Sequence, residues 1–167
     1  MSDFSYFPQF LALLAVISTD ASNIEMTASR ARNCGKYEKS LKLYAKALKM
    51  APHIGLWMNK AYAVTFLMNA FEENKTDFSD AKAFIKSQIN ENYSEEGINE
   101  MWLMMLAYLA AKEGEQNLAL EYFSQQAQMG IPITKESIKN SNFVGKENDA
   151  FFQDYIETLM LLGMPEK

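Results

Sequence analysis

The chain has 167 residues, 49% apolar and 22% charged, with 7 Gly and 4 Pro. This is the composition of one soluble globular domain and excludes collagen, coil-like disorder and multidomain organisation. A net charge of -5 argues against broad electrostatic binding to nucleic acid or an anionic membrane, because phosphate binding needs a basic excess on the binding face.

The first element is the unbroken apolar run Phe10 to Ile17. It lacks the basic flank of an export signal and falls far short of the ~18 to 20 residues that span a bilayer, so it predicts a buried helix and no membrane insertion. Pro8 belongs in its first turn or just before it, where a missing N–H costs little. Onward from there, apolar positions recur at three and four, and strand-type alternation is nearly absent outside Ile131 to Thr134. Turn residues at Cys34-Gly35, Ala51-Pro52-His53, Asn74 to Asp77, Tyr93 to Gly97, Glu113-Gly114 and Gly130-Ile131-Pro132 divide the chain. They predict helices over 4–18, 21–34, 37–50, 54–71, 77–91, 97–113 and 115–129, joined as antiparallel hairpins. Residues 130–147 break the rhythm before a last amphipathic helix at about 148–162, ended by Gly163 and Pro165.

The hairpins repeat, imperfectly. From Gly35 through Tyr37, Ser40, Tyr44 and Ala47 to Pro52, the chain resembles the second half of a tetratricopeptide repeat, with Ser40 where that repeat usually has Ala. A third hairpin offers Leu103, Leu106, Ala107 and Ala110, then Gly114, Ala119, Phe123 and Ala127, and Pro132 closes it one residue late. Between them, Tyr62, Ala63, Phe66, Phe78, Ala81 and Ile85 form a degenerate unit whose turn is about six residues longer than usual. The helix before Gly35 lacks the customary Trp, Leu and Gly and offers Thr27, Ala28 and Ala31. The resemblance to the tetratricopeptide repeat family covers residues 21–132. It implies an all-α fold of antiparallel hairpins stacked as a right-handed solenoid, with an N-terminal apolar helix over 1–20 and a loop and C-terminal helix over 133–167 as caps. The FLALLAVI run and the Phe151, Tyr155, Leu159 and Leu162 stripe suit that capping role.

Catalytic and metal constellations are missing. Cys34 and His53 are the only thiol and the only imidazole. In a helical hairpin they lie at opposite ends of a helix, roughly 20 Å apart, too far for a dyad. A structural zinc site needs four Cys or His ligands. No Gly-rich phosphate loop occurs. The acidic clusters Glu72, Glu73, Asp77, Asp80 and Glu95, Glu96, Glu100 sit at turns or helix starts, where carboxylates suit the helix dipole. No catalytic residue, cofactor or metal is expected, and an enzyme is not. The lone Cys34 also rules out an intrachain disulfide and points to a reducing, cytoplasmic compartment.

Charge distribution is more informative than the total. Residues 28–60 carry eight Lys or Arg against one Glu, and residues 61–121 carry four against eleven acids. Lys39, Lys42, Lys46 and Lys49 share one helix face, with Arg30 and Arg32 on the preceding helix. They form either a solvated outer face or a docking face for an acidic partner or a second copy of the chain. Eleven methionines are many for this length. Met101, Trp102, Met104 and Met105 lie on the first helix of the third hairpin, and Trp57, Met58, Leu67 and Met68 on that of the second, the helices that the resemblance places along a concave groove. They are either core or an adaptable apolar groove for a peptide or amphipathic helix. The Lys, Arg and Asn pairs of carboxylate-clamping members of the family are absent from the first helices, which carry Glu25, Ser29, Ala63 and Ala107 instead.

The expected function is a non-enzymatic scaffold that holds a peptide or helix of another protein in its groove, with a homodimer left open. Two narrower forms resemble known architectures. One is the small repeat chaperones of bacterial type III secretion. The other is the regulatory repeat domain of bacterial transcriptional activators, whose closing helix is similar to Phe151 through Pro165.

Overall fold

The computed structural model describes residues 7–52, 56–74, 76–89, 98–128 and 150–163, and among these it contains α-helices and no strand. The helices are α1 (Phe7–Asn33), α2 (Tyr37–Met50), α3 (Leu56–Glu72), α4 (Ser79–Gln88), α5 (Ile98–Lys112), α6 (Gln116–Gln128) and α7 (Ala150–Leu162). Residues 130–147, with Ile131 to Thr134 and Pro132, lie outside the described residues, as does Pro165. None of the described helices is long and apolar enough to cross a membrane. The chain divides into two compact units, 1–69 and 70–167.

The first unit is built on the α1–α2 hairpin. The break expected after residue 18 does not occur, and α1 runs unbroken for 27 residues. No Gly or Pro interrupts it there, and the Thr19 hydroxyl donates to the Ala15 carbonyl one turn back at 2.9 Å, which keeps that polar side chain inside the helical pattern. Pro8 falls in the first turn, where its missing N–H has no helical partner to lose.

Gly35 ends α1 with φ +71. The Lys36 N–H donates to Ala31 O at 2.9 Å and the Gly35 N–H to Arg32 O at 2.9 Å, the paired bonds that close a helix around a left-handed residue. Ser40, Tyr44 and Ala47 form the buried face of α2. Tyr44 and Ala47 pack with Ala28, Met58 and Ala61 into one core cluster, bordered by Ile24, Leu43, Leu48 and Tyr62. The small side chains of Ala28 and Ala47 allow close approach, and the Tyr44 ring fills the space left. Ser40 takes the place of an alanine at no polar cost, because its hydroxyl donates to the Ala28 carbonyl across the hairpin at 2.8 Å.

The second unit is organised around α5. Residues Met101 to Ala110 are all buried, so this helix is apolar on every side and enclosed by its neighbours. α4, α6 and α7 pack against it. The α5–α6 turn repeats the chemistry of the α1–α2 turn: Gly114 has φ +79, and Glu115 N–H donates to Ala110 O at 2.9 Å. In the α3–α4 turn the left-handed position is taken by Asn74 (φ 47), a residue whose short polar side chain tolerates it.

The α6 stripe differs from the expected one. Ala119, Tyr122 and Gln126 are buried, whereas Phe123 is half-buried and Ala127 is exposed. Counted from the turn glycines, Gln126 stands where Ala47 stands in α2, so the repeat register places a polar side chain on the inner face. The α7 stripe is buried: Phe151, Tyr155, Leu159 and Leu162 all face inward, and α7 packs on α5 and α6. Tyr108 meets Phe151 edge-on (6.0 Å, 88°) and Tyr155 in a tilted contact at 4.9 Å.

Candidate functional site

Of the residues expected along a groove, those whose side chains are described are buried. Met58, Leu67, Met68, Met101, Trp102, Met104 and Met105 are all buried. The side chain of Trp57 lies outside the described residues. The physical reason on α5 is its all-round apolarity: a helix without a polar face is enclosed by its neighbours, so its Met side chains fill gaps between them. On α3, Met58 joins the Tyr44 cluster, and Leu67 and Met68 are buried.

Exposure divides the expected basic residues. Lys39, Lys42, Lys46 and Lys49 are exposed on α2, opposite the Ser40, Tyr44 and Ala47 face, and Arg30 is exposed on α1. Arg32 is only 3% exposed and does not belong to that surface. Its Nη2 reaches Ser29 Oγ at 3.4 Å, while Nε and Nη1 have no hydrogen-bond partner. Arg32 follows Ser29 by three positions on α1, so the helical repeat turns it toward the hairpin interior beside Tyr44. Burial raises the Tyr44 phenol pKa, opposed by the Arg32 charge.

Cys34 is exposed, and His53 lies outside the described residues. No three His, Cys, Asp or Glu among the described residues are placed to hold a metal. Of the acidic clusters, Glu95 and Glu96 lie outside the described residues, and Glu100 is buried in the first turn of α5. Asp77 does helix-start work: its carboxylate accepts the Ser79 N–H at 2.9 Å, and that bond pulls its pKa down.

The second unit also holds a cleft of about 390 Å³. The end of α3 contributes Ala70 and Phe71, the following turn Asn74, Thr76 and Phe78, α5 Tyr108 and Lys112, and α7 Asp154. Tyr108 and Lys112 are one helical turn apart on α5, so both side chains reach the same α7 carboxylate. The Tyr108 hydroxyl donates to Asp154 Oδ2 at 2.8 Å, and the Lys112 ammonium donates to Asp154 Oδ1 at 2.6 Å while lying 5.6 Å from the Tyr108 ring centre. Burial, reinforced by the bond to Asp154, pushes the Tyr108 phenol up, so it stays protonated and serves as a donor.

Both carboxylate oxygens are therefore occupied, and the pair is charge-neutral. The arrangement offers aromatic walls and an ammonium whose other N–H bonds are directed away from Asp154. These features suit an apolar side chain flanked by a hydrogen-bond acceptor. Sequence reasoning did not find this cleft. The Tyr108–Lys112 spacing was readable, but nothing in the order of residues couples it to Asp154, 46 and 42 positions away.

Comparison with known proteins adds one partial likeness. No family model matches the chain, and no solved structure matches it. It is 32% identical over 84 residues to COP9 signalosome complex subunit 2 of Caenorhabditis elegans, a stretch that takes in 48% of this chain. The match spans 17% of that protein's length.

Proposed function

We propose that this chain is a non-enzymatic protein-interaction scaffold, a stack of degenerate tetratricopeptide-like hairpins in a right-handed solenoid, that holds a peptide or helix of a partner protein. The observation that carries this reading is the cleft of the second unit, whose Phe71, Phe78 and Tyr108 walls and Lys112–Asp154 rim match the needs of a peptide anchor side chain next to a backbone carbonyl. On this reading the partner site uses Phe71 of α3 and Tyr108 and Lys112 of α5 in place of the buried methionines of those helices. The exposed lysines of α2 supply a second, long-range attraction for an acidic partner. The local likeness to a subunit of a multiprotein complex is consistent with a scaffold role.

The test is selection of binding peptides from a displayed random library on the full chain, followed by titration of wild type and Thr76→Trp. Thr76 is exposed at the cleft, so the indole fills it without entering the core. Peptides carrying an aromatic or aliphatic anchor should bind wild type and lose at least tenfold in affinity to the variant. Equal binding to both would remove the cleft from the reading, and the absence of any selected peptide would remove the peptide-holding function.

A further inference from the structure

α1 has 27 residues and its hairpin partner α2 has 14. At ~1.5 Å per residue the first extends roughly 20 Å beyond the second. One stripe runs the length of α1 at alternating spacings of four and three: Phe10, Leu14, Ile17, Ala21, Ile24 and Ala28. Its C-terminal half is covered, because Ala21 and Ala28 are fully buried and Ile24 borders the Tyr44 cluster. Its N-terminal half is not. Phe10 is 57%, Leu13 58% and Leu14 43% exposed. The expectation of a buried helix at Phe10 to Ile17 is corrected here: the run is helical, but α2 is too short to reach it.

We infer that two copies of this chain pair through the N-terminal halves of α1, side by side and antiparallel about a two-fold axis. Three observations select a second copy as the occupant. First, residues 7–19 contain no Lys, Arg, Asp or Glu. A two-fold contact turns the same patch of both copies against itself, residue i meeting residue j and j meeting i, which would set like charges together on a patch of one sign and sets nothing repulsive together here. Second, the exposed stripe continues an interface that already packs helix against helix at the same spacing, so its register suits another helix. Third, the first charge on α1 is Asp20. Antiparallel pairing places that carboxylate near the positive N-terminal end of the other helix and lays Phe10 along Ile17 of the other copy.

An overlap of roughly 20 Å between two helices buries on the order of 1,000 Å² in total, the lower edge of specific interfaces, so the dimer is reversible at micromolar concentration. This inference does not depend on the cleft of the second unit.

Sedimentation velocity of the full chain from about 1 to 200 μM, at ~0.1 and ~0.5 M salt, tests it. Wild type should pass from monomer to dimer with a midpoint in the tens of micromolar, unmoved by salt. Leu14→Glu, at an exposed position, should keep the wild-type circular dichroism and raise the dissociation constant more than tenfold. Leu13→Lys should do the same with the opposite charge. The double variant Lys42→Glu/Lys46→Glu should still dimerise.

A wild-type chain that stays monomeric to 200 μM overturns the proposal. So does a dimer that survives Leu14→Glu but dissociates in salt, which would assign association to the charged faces. Flotation of a monomeric wild type with phosphatidylcholine vesicles, lost in Leu14→Glu, would assign the stripe to a lipid surface instead. In a Cys34→Ser background, chains carrying Phe10→Cys should cross-link to chains carrying Ile17→Cys faster than either links to itself. The reverse order overturns the antiparallel arrangement.

Discussion

Glu113 accepts the backbone N–H of Phe78 at 3.1 Å across 35 positions of sequence. Its other carboxylate oxygen takes the ammonium of Lys82. One side chain in the turn after α5 thus caps the start of α4 and anchors a lysine in its first turn, in place of the missing side-chain cap at Phe78 itself. The bond to Glu113 holds the Lys82 ammonium above the ordinary lysine range. Its contribution to stability is complete below the ordinary lysine pKa and is lost as pH rises through the higher folded value. Glu113→Ala should cost about 2 kcal/mol in urea denaturation at pH 7, and Glu113→Gln, which keeps an acceptor for Phe78, about half of that.

The two turn glycines should behave alike. Gly35 and Gly114 have positive φ, and a Cβ added at either meets nothing within 4 Å. The cost of Gly35→Ala and Gly114→Ala is therefore backbone strain alone, about 1 kcal/mol each. Thermal unfolding of the two single variants and the double variant checks this, and the losses should add, because the turns share no partner.

Lys60 gives the chain a pH signature. It is 4% exposed, and burial pulls its ammonium down to about 8. Between that value and the ordinary lysine pKa the unfolded chain binds more protons than the folded one, so stability rises with pH from about 8 toward 10. Tyr108 and Tyr155, both pushed up by burial, act the opposite way once unfolded tyrosines begin to ionise, so stability falls above about 10. Urea midpoints from pH 6 to 11 should trace a maximum near pH 10. Lys60→Met should flatten the rising limb.

Asp154 joins α7 to α5 at the cleft. Asp154→Ala leaves the buried Tyr108 hydroxyl without its acceptor and should cost about 2 kcal/mol. Removing Lys112 alone should cost less than 1 kcal/mol, because both partners of that ion pair remain partly open to water. Chemical denaturation of the two variants separates the hydrogen bond from the ion pair.

The substitution Ser40→Ala tests the repeat resemblance where it is most specific. The Ser40 hydroxyl bonds a carbonyl that also belongs to the α1 ladder, so its loss should cost only about 0.5–1 kcal/mol, whereas Ser40→Leu overpacks the Ala28 contact and should cost at least 2 kcal/mol.

Helix identity, most helix boundaries and the inner faces of α2 and α7 were written in the residue order. Spacing of three and four, glycine at a left-handed turn and an aromatic among alanines act within a few residues of one another, where the chain itself fixes who meets whom. The basic face of α2 was legible for the same reason, since Lys39, Lys42, Lys46 and Lys49 share a side by helical geometry alone. Periodicity does not carry what lies against a given face. It could not say that α5 is enclosed on all sides, that Arg32 turns inward, or that α1 outruns α2 and leaves Phe10 and Leu14 uncovered. It could not join Glu113 to Phe78 or Asp154 to Tyr108 either. Those pairings depend on which helices pack together across dozens of residues, and burial and long-range hydrogen bonding are properties of that packing and not of any one helix.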